Sequence, residues 1–126
     1  MNVIDRVDLR TAVRLDRRMA DAEVRDNLQA HRVEIWSGGE LAGFTAYEPM
    51  GGARAFVHTE IDDRFAGQGL GSVLVRAALE AMRDAGTAVL PYCQFVRSYL
   101  QRHDEFHDLV PDAQRLRFGL PPPAAG

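Results

Sequence analysis

The sequence predicts an α+β domain built on a mixed sheet, an antiparallel meander followed by a β-loop-helix-β unit. Three observations carry this reading. Three short β-branched or alternating segments follow one another across tight glycine turns. A glycine-rich loop, Gly67-Gln68-Gly69-Leu70-Gly71, leads into a run of apolar residues at helical spacing. A short apolar segment then closes the unit, as a buried parallel strand does.

Taken in order, residues 1–22 are charged and loosely patterned (Val7, Leu9, Val13, Leu15, Met19), and read as an N-terminal extension with room for a short helix. The pattern changes at Val24. Arg32 to Trp36 alternates and is rich in β-branched side chains, and Ser37-Gly38-Gly39 marks a turn. Leu41 to Tyr47 reads as the next strand, closed by Pro49 and Gly51-Gly52, and Ala53 to Ile61 as a third. Connections this short make sequence neighbours pair in space. After the loop, Leu70, Val73, Leu74, Ala77, Ala78 and Ala81 share one helical face, and Gly86 stops the helix. Thr87 to Leu90 is the parallel strand, reached by a right-handed crossover. Phe95, Val96, Tyr99, Leu100 and His103 predict a second helix, and Phe106 to Pro111 a last turn or short strand. Residues 23–112 form the expected domain, and 113–126 a tail that ends disordered in Pro121-Pro122-Pro123 and beyond.

Composition narrows the function classes. The length of 126 residues fits one domain that buries roughly two-thirds of its unfolded surface. A net charge of −3 provides no basic field, which argues against nucleic acid as a partner. All fifteen basic residues are arginine. A phosphate-binding lysine, a Schiff-base lysine and a lysine general base are therefore excluded. A single cysteine, Cys93, excludes an internal disulfide and a cysteine-rich zinc site. The charged N-terminus lacks the apolar core of a signal peptide, and no apolar run approaches spanning length. The expectation is a cytoplasmic protein without membrane partners, monomeric or weakly dimeric.

The glycine loop carries the chemistry. Glycines let backbone approach a ligand closely, and the helix behind them directs free N–H groups and a positive dipole end at the turn. Such a place binds phosphate. A P-loop needs Gly-Lys-Ser/Thr, and no lysine exists. A dinucleotide fingerprint needs glycine at position 72, which is Ser72, and normally follows the first strand of a parallel sheet. The third pattern, Arg/Gln-x-x-Gly-x-Gly/Ala, matches Arg64-Phe65-Ala66-Gly67-Gln68-Gly69 at every position.

That last pattern resembles the acyl-CoA-binding signature of the GNAT acyltransferase superfamily. The flanking segments Val57-His58-Thr59-Glu60-Ile61, Pro91-Tyr92-Cys93-Gln94-Phe95-Val96 and His103 to Val110 look like a subgroup of small single-domain predicted acetyltransferases. The resemblance runs from about Val24 to Val110. The helix that larger members carry after their first strand is not evident. The resemblance implies a GNAT-like acyl-CoA N-acyltransferase fold, acetyl-CoA as co-substrate, an amine acceptor and no metal. It implies that the amides of Phe65, Ala66, Gly67, Gln68, Gly69, Leu70 and Gly71 hold the CoA pyrophosphate, with Arg64, Thr59, Ile61 and Tyr99 completing the cofactor site.

For catalysis, His58 and Glu60 share strand parity with Arg54 and Phe56, leaving Val57, Thr59 and Ile61 on the other face. By the resemblance this strand borders the acyl-transfer site, where His58 or Glu60 serves as base. The competing reading is a solvated ion pair. Cys93 opens the second helix, where thiol pKa values fall. It can carry the acyl group, protonate departing CoA or fill space. Tyr92 and Tyr99 are alternative proton donors, though Tyr99 sits on the apolar stripe. His103 and His107, four apart, lack the Glu that a metalloprotease motif places after the first His, and read as a solvated helix end. Arg64 is expected to anchor the loop through backbone carbonyls. The alternative function is a non-catalytic CoA-binding or protein-interaction module on the same scaffold.

Overall fold

A computed structural model describes residues 22–123. All of the N-terminal extension but Ala22, and the last three residues of the tail, therefore lie outside the described residues. Among the described residues, five strands form one sheet in sequence order: β1 (Ala22–Asn27), β2 (Arg32–Ser37), β3 (Glu40–Met50), β4 (Ala53–Ile61) and β5 (Ala88–Pro91). The first four pair antiparallel and β5 joins β4 in parallel. The meander thus has one strand more than the sequence pattern predicts. β1 escapes a pattern search because Arg25 and Asp26 interrupt it, with only Ala22 and Val24 fully buried.

Among the described residues, two helices cover one face of the sheet. α1 (Leu70–Ala85) lays Leu74, Val75, Ala78 and Leu79 over Val33, Ile35, Thr45 and Phe56. Gly86 ends it in the left-handed conformation, its N–H returning to Arg83 and Met82. α2 (Gln94–Arg102) adds Val96, Tyr99 and Leu100 to the same core. At its C-terminus, His103 Nδ1 lies 2.8 Å from the Tyr99 carbonyl, and His107 Nε2 lies 2.7 Å from that of Leu100. His103 thus serves the Tyr99 carbonyl, which the helix end leaves unpaired, and His107 adds a second contact to the Leu100 carbonyl, which already accepts the His103 N–H. Residues Asp104–Leu109 form a 3₁₀ turn. Beyond it Phe118 and Leu120 enter the core, Phe118 meeting Tyr92 edge-on at 5.1 Å.

The other sheet face is polar. Glu34 is 5 % exposed there beneath Asn27, Arg32 and Trp36, which all donate to its carboxylate. Burial pushes the Glu34 carboxyl up, but the three hydrogen bonds and the Arg32 charge outweigh it and hold the group below the usual carboxylate range.

Candidate functional site: a splayed strand pair beside a glycine loop

One extra residue shapes the site. Tyr47 pairs with Phe56, but the next residue of β3, Ala46, pairs with His58, leaving Val57 as a bulge. A bulge shifts every later side chain to the opposite face. This corrects the parity read from the sequence. Arg54 and Phe56 share the helix-covered face with Thr59 and Ile61, whereas His58 and Glu60 occupy the other face. The signal was absent from the sequence because an alternating pattern does not mark which residue a bulge leaves unpaired.

β4 and β5 part beside the bulge. Their pairing ends at Phe56 with Pro91, and the Cys93 N–H donates to the Phe56 carbonyl at 2.7 Å. Past that point no described strand pairs with the β5 side of β4. The Asp62 N–H donates to the Ala42 carbonyl at 2.8 Å. Antiparallel alternation from that bond turns the N–H and C=O of Ile61 and Thr59 away from β3, toward this edge. Gly43, opposite Ile61, permits the close strand approach: a Cβ there would collide with the Glu60 carbonyl oxygen.

Cys93 lies at the floor of the splay, 7 % exposed, as the N-cap of α2. Its Sγ is 3.2 Å from Thr59 Oγ1, which donates to Thr45 Oγ1 at 3.0 Å. Cys93, Thr59 and Thr45 thus form one short chain of side-chain hydrogen bonds across the floor of the splay. Thr45 was not singled out in the sequence; only the cross-strand register brings it opposite Thr59.

His58 and Glu60 form their own pair, Nε2 to Oε2 2.8 Å, with side chains 56 % and 61 % exposed. They do not join Cys93, since the strand stands between the two sets. Tyr99 is buried and stacks on His103 at 3.9 Å, its hydroxyl 3.5 Å from Arg76 of α1. It belongs to the packing between the helices.

The loop from β4 to α1 is held at its start and open at its middle. Asp62 accepts from the Arg64 N–H at 2.9 Å and from its guanidinium at 3.2 Å, and these two contacts hold its carboxyl below the usual range. Arg64 also reaches Glu40 at 3.0 Å. Its anchor is a pair of carboxylates, not the carbonyls expected from the sequence. Gly67 and Gly69 adopt φ of +80° and +77°. A Cβ on Gly67 would meet nothing within 4 Å, so its surface is open. Gly71 differs: a Cβ there would stand 2.7 Å from Phe95 Cζ, so this glycine lets α2 dock on α1. Between them, Leu70 starts α1, whose first N–H groups have no helical partner and point at the loop.

A family model described as GCN5-related N-acetyl-transferase matches residues 32–109. Among solved structures, a GCN5-like protein from Staphylococcus aureus, determined in solution by NMR, superposes with a TM-score of 0.57 at 21% identity. The match covers 74% of this chain and 91% of that one. At that identity the likeness concerns the fold alone, a mixed sheet with helices. No curated protein matches the chain significantly in sequence.

Proposed function

This chain belongs to the GCN5-related N-acetyltransferase family, and from that premise we propose that it moves an acetyl group from acetyl-CoA to a primary amine at the β4–β5 splay. The observation that carries the proposal is the continuity of three features. An open glycine turn with positive φ faces the start of α1, the free β4 edge leads away from it, and that edge ends at Cys93. CoA has a matching order of parts: pyrophosphate, an amide-bearing arm, then the thioester.

In this reading the amides from Phe65 to Gly71 and the α1 dipole hold the pyrophosphate. Gly67 is the point of closest backbone approach. Gly71 contributes its N–H while its missing side chain accommodates Phe95. Arg64 orders the loop through Asp62 and Glu40. The pantetheine amides pair with the edge-facing backbone of Ile61 and Thr59, as an added strand would. Tyr99 supports this assembly from the core and does not touch the ligand.

The thioester then lies beside Val57 and Cys93, and the amine arrives from the His58–Glu60 side of the strand. The amine nitrogen attacks the thioester carbonyl carbon, and its surplus proton passes to His58 Nδ1, while the Nε2–H donates to Glu60, which orients the ring. The tetrahedral intermediate collapses with departure of the CoA thiolate, which takes a proton from the Cys93 S–H or from water. Base catalysis supplies roughly 10²–10⁴-fold, and holding both reactants at one edge supplies much of the remainder. Because Cys93 is 7 % exposed and its Sγ is engaged with Thr59, direct transfer is favoured over an acetyl-Cys93 intermediate. The acidic net charge favours encounter with cationic amines.

The test is release of CoA from acetyl-CoA across a panel of primary amines, with Gly67→Glu as control. Amine-dependent release above that control supports the reading. Binding of acetyl-CoA without release for any amine would favour the non-catalytic binding module instead. Intact-mass analysis after acetyl-CoA alone should show no covalent adduct.

A further inference from the structure

Outside the splay, the outer face of α2 bears a shallow groove of about 340 Å³, lined by Gln94, Phe95, Ser98 and Arg102. The last three repeat at three- to four-residue spacing and so form one stripe of the helix. The stripe begins at the glycine loop, because the Phe95 ring packs against Gly71. Phe95 is nevertheless 41 % exposed, an aromatic face left partly uncovered. From Phe95 to Arg102 the helix rises about 10 Å, and an arginine leans back toward the helix N-terminus, over the groove.

Arg102 itself is unusual in this chain. Each other described arginine donates to a carboxylate, a carbonyl or an amide oxygen. Arg102 is the one arginine among the described residues with no such partner. An unpartnered guanidinium beside a hydroxyl and an exposed ring, adjoining an anion cradle, suits a second phosphate joined to an aromatic base.

We propose that this groove binds the adenosine 3′-phosphate end of CoA, with Arg102 and Ser98 on the phosphate and Phe95 against the adenosine. The inference rests on the glycine loop being the CoA pyrophosphate site. It makes the 3′-phosphate, which takes no part in acyl transfer, a determinant of donor recognition.

Calorimetric titration of the full chain with CoA and with 3′-dephospho-CoA at low ionic strength tests it, since salt screens an exposed contact. The wild-type protein should bind CoA about tenfold more tightly than dephospho-CoA, as one charge-assisted contact provides. Arg102→Ala should keep its melting temperature, bind dephospho-CoA as before and lose the preference; Arg102→Lys should recover part of it. Equal affinities in the wild type, or a preference that survives Arg102→Ala, overturn the groove assignment and leave the acetyl-CoA reading intact. Failure of both ligands to bind overturns the two together.

Discussion

Adding one methyl group at either of two loop glycines should separate ligand contact from packing. At Gly67 the backbone φ of +80° costs an L-residue about 1–2 kcal/mol, and nothing in the fold lies within 4 Å of the new carbon. Part of that cost is offset because alanine has fewer unfolded conformations, by about 0.4–1 kcal/mol. A net loss of about 1 kcal/mol lowers the melting temperature by about 3–6 °C in a domain of this size. At 100 times its Kd, acetyl-CoA should stabilise the wild type by about 2.7 kcal/mol. If the methyl occupies the pyrophosphate surface and weakens binding a hundredfold, the same ligand concentration adds only about 0.4 kcal/mol. Gly67→Ala should therefore fold but show almost no ligand-induced shift in thermal denaturation. Gly71→Ala should behave oppositely. Its Cβ would stand 2.7 Å from Phe95 Cζ, and relieving that contact costs about 1–3 kcal/mol, less about 1 kcal/mol for better helix propensity. Its N–H remains in place, so most of the ligand shift should persist. A Gly67→Ala protein that keeps the full shift would refute the loop as the phosphate cradle.

Three further outcomes follow from the same geometry. Thr59→Val leaves the fully buried Thr45 hydroxyl without that partner and should cost about 1–3 kcal/mol in urea denaturation. His58→Gln should lower kcat by about 10²-fold or more while leaving acetyl-CoA affinity and the melting temperature unchanged, because the side chain is exposed. Glu34 has its pKa depressed on folding, so its contribution to stability is present above its unfolded value and is lost as pH falls through the folded value. Melting curves of wild type and Glu34→Gln should therefore differ at pH 7 and converge as the pH falls below the usual carboxylate range and through the lowered folded value; a constant gap would contradict the assignment.

Local chemistry was legible in the sequence where it depends on nearest neighbours. The positive-φ glycines, the helix behind them and the Gly86 stop follow from residue type and spacing. Three strands of the meander followed from alternation and turns, but β1 did not, since Asp26 meets Tyr47 and Arg54, and Arg25 meets the Trp36 ring, only in the folded sheet. The facing of β4 was misread for a related reason. The Val57 bulge exists only in the register of β4 against β3, which no local pattern records. The same limit hid Thr45 behind Thr59, and hid the fact that Gly71 serves Phe95 as well as the loop.

Backbone amide shifts during titration with acetyl-CoA test the central claim most directly. The account predicts saturable changes concentrated at Gly67 to Ser72, at Thr59 and Ile61 along the β4 edge, and at Cys93. Saturable changes centred elsewhere, or none at these positions, would contradict it.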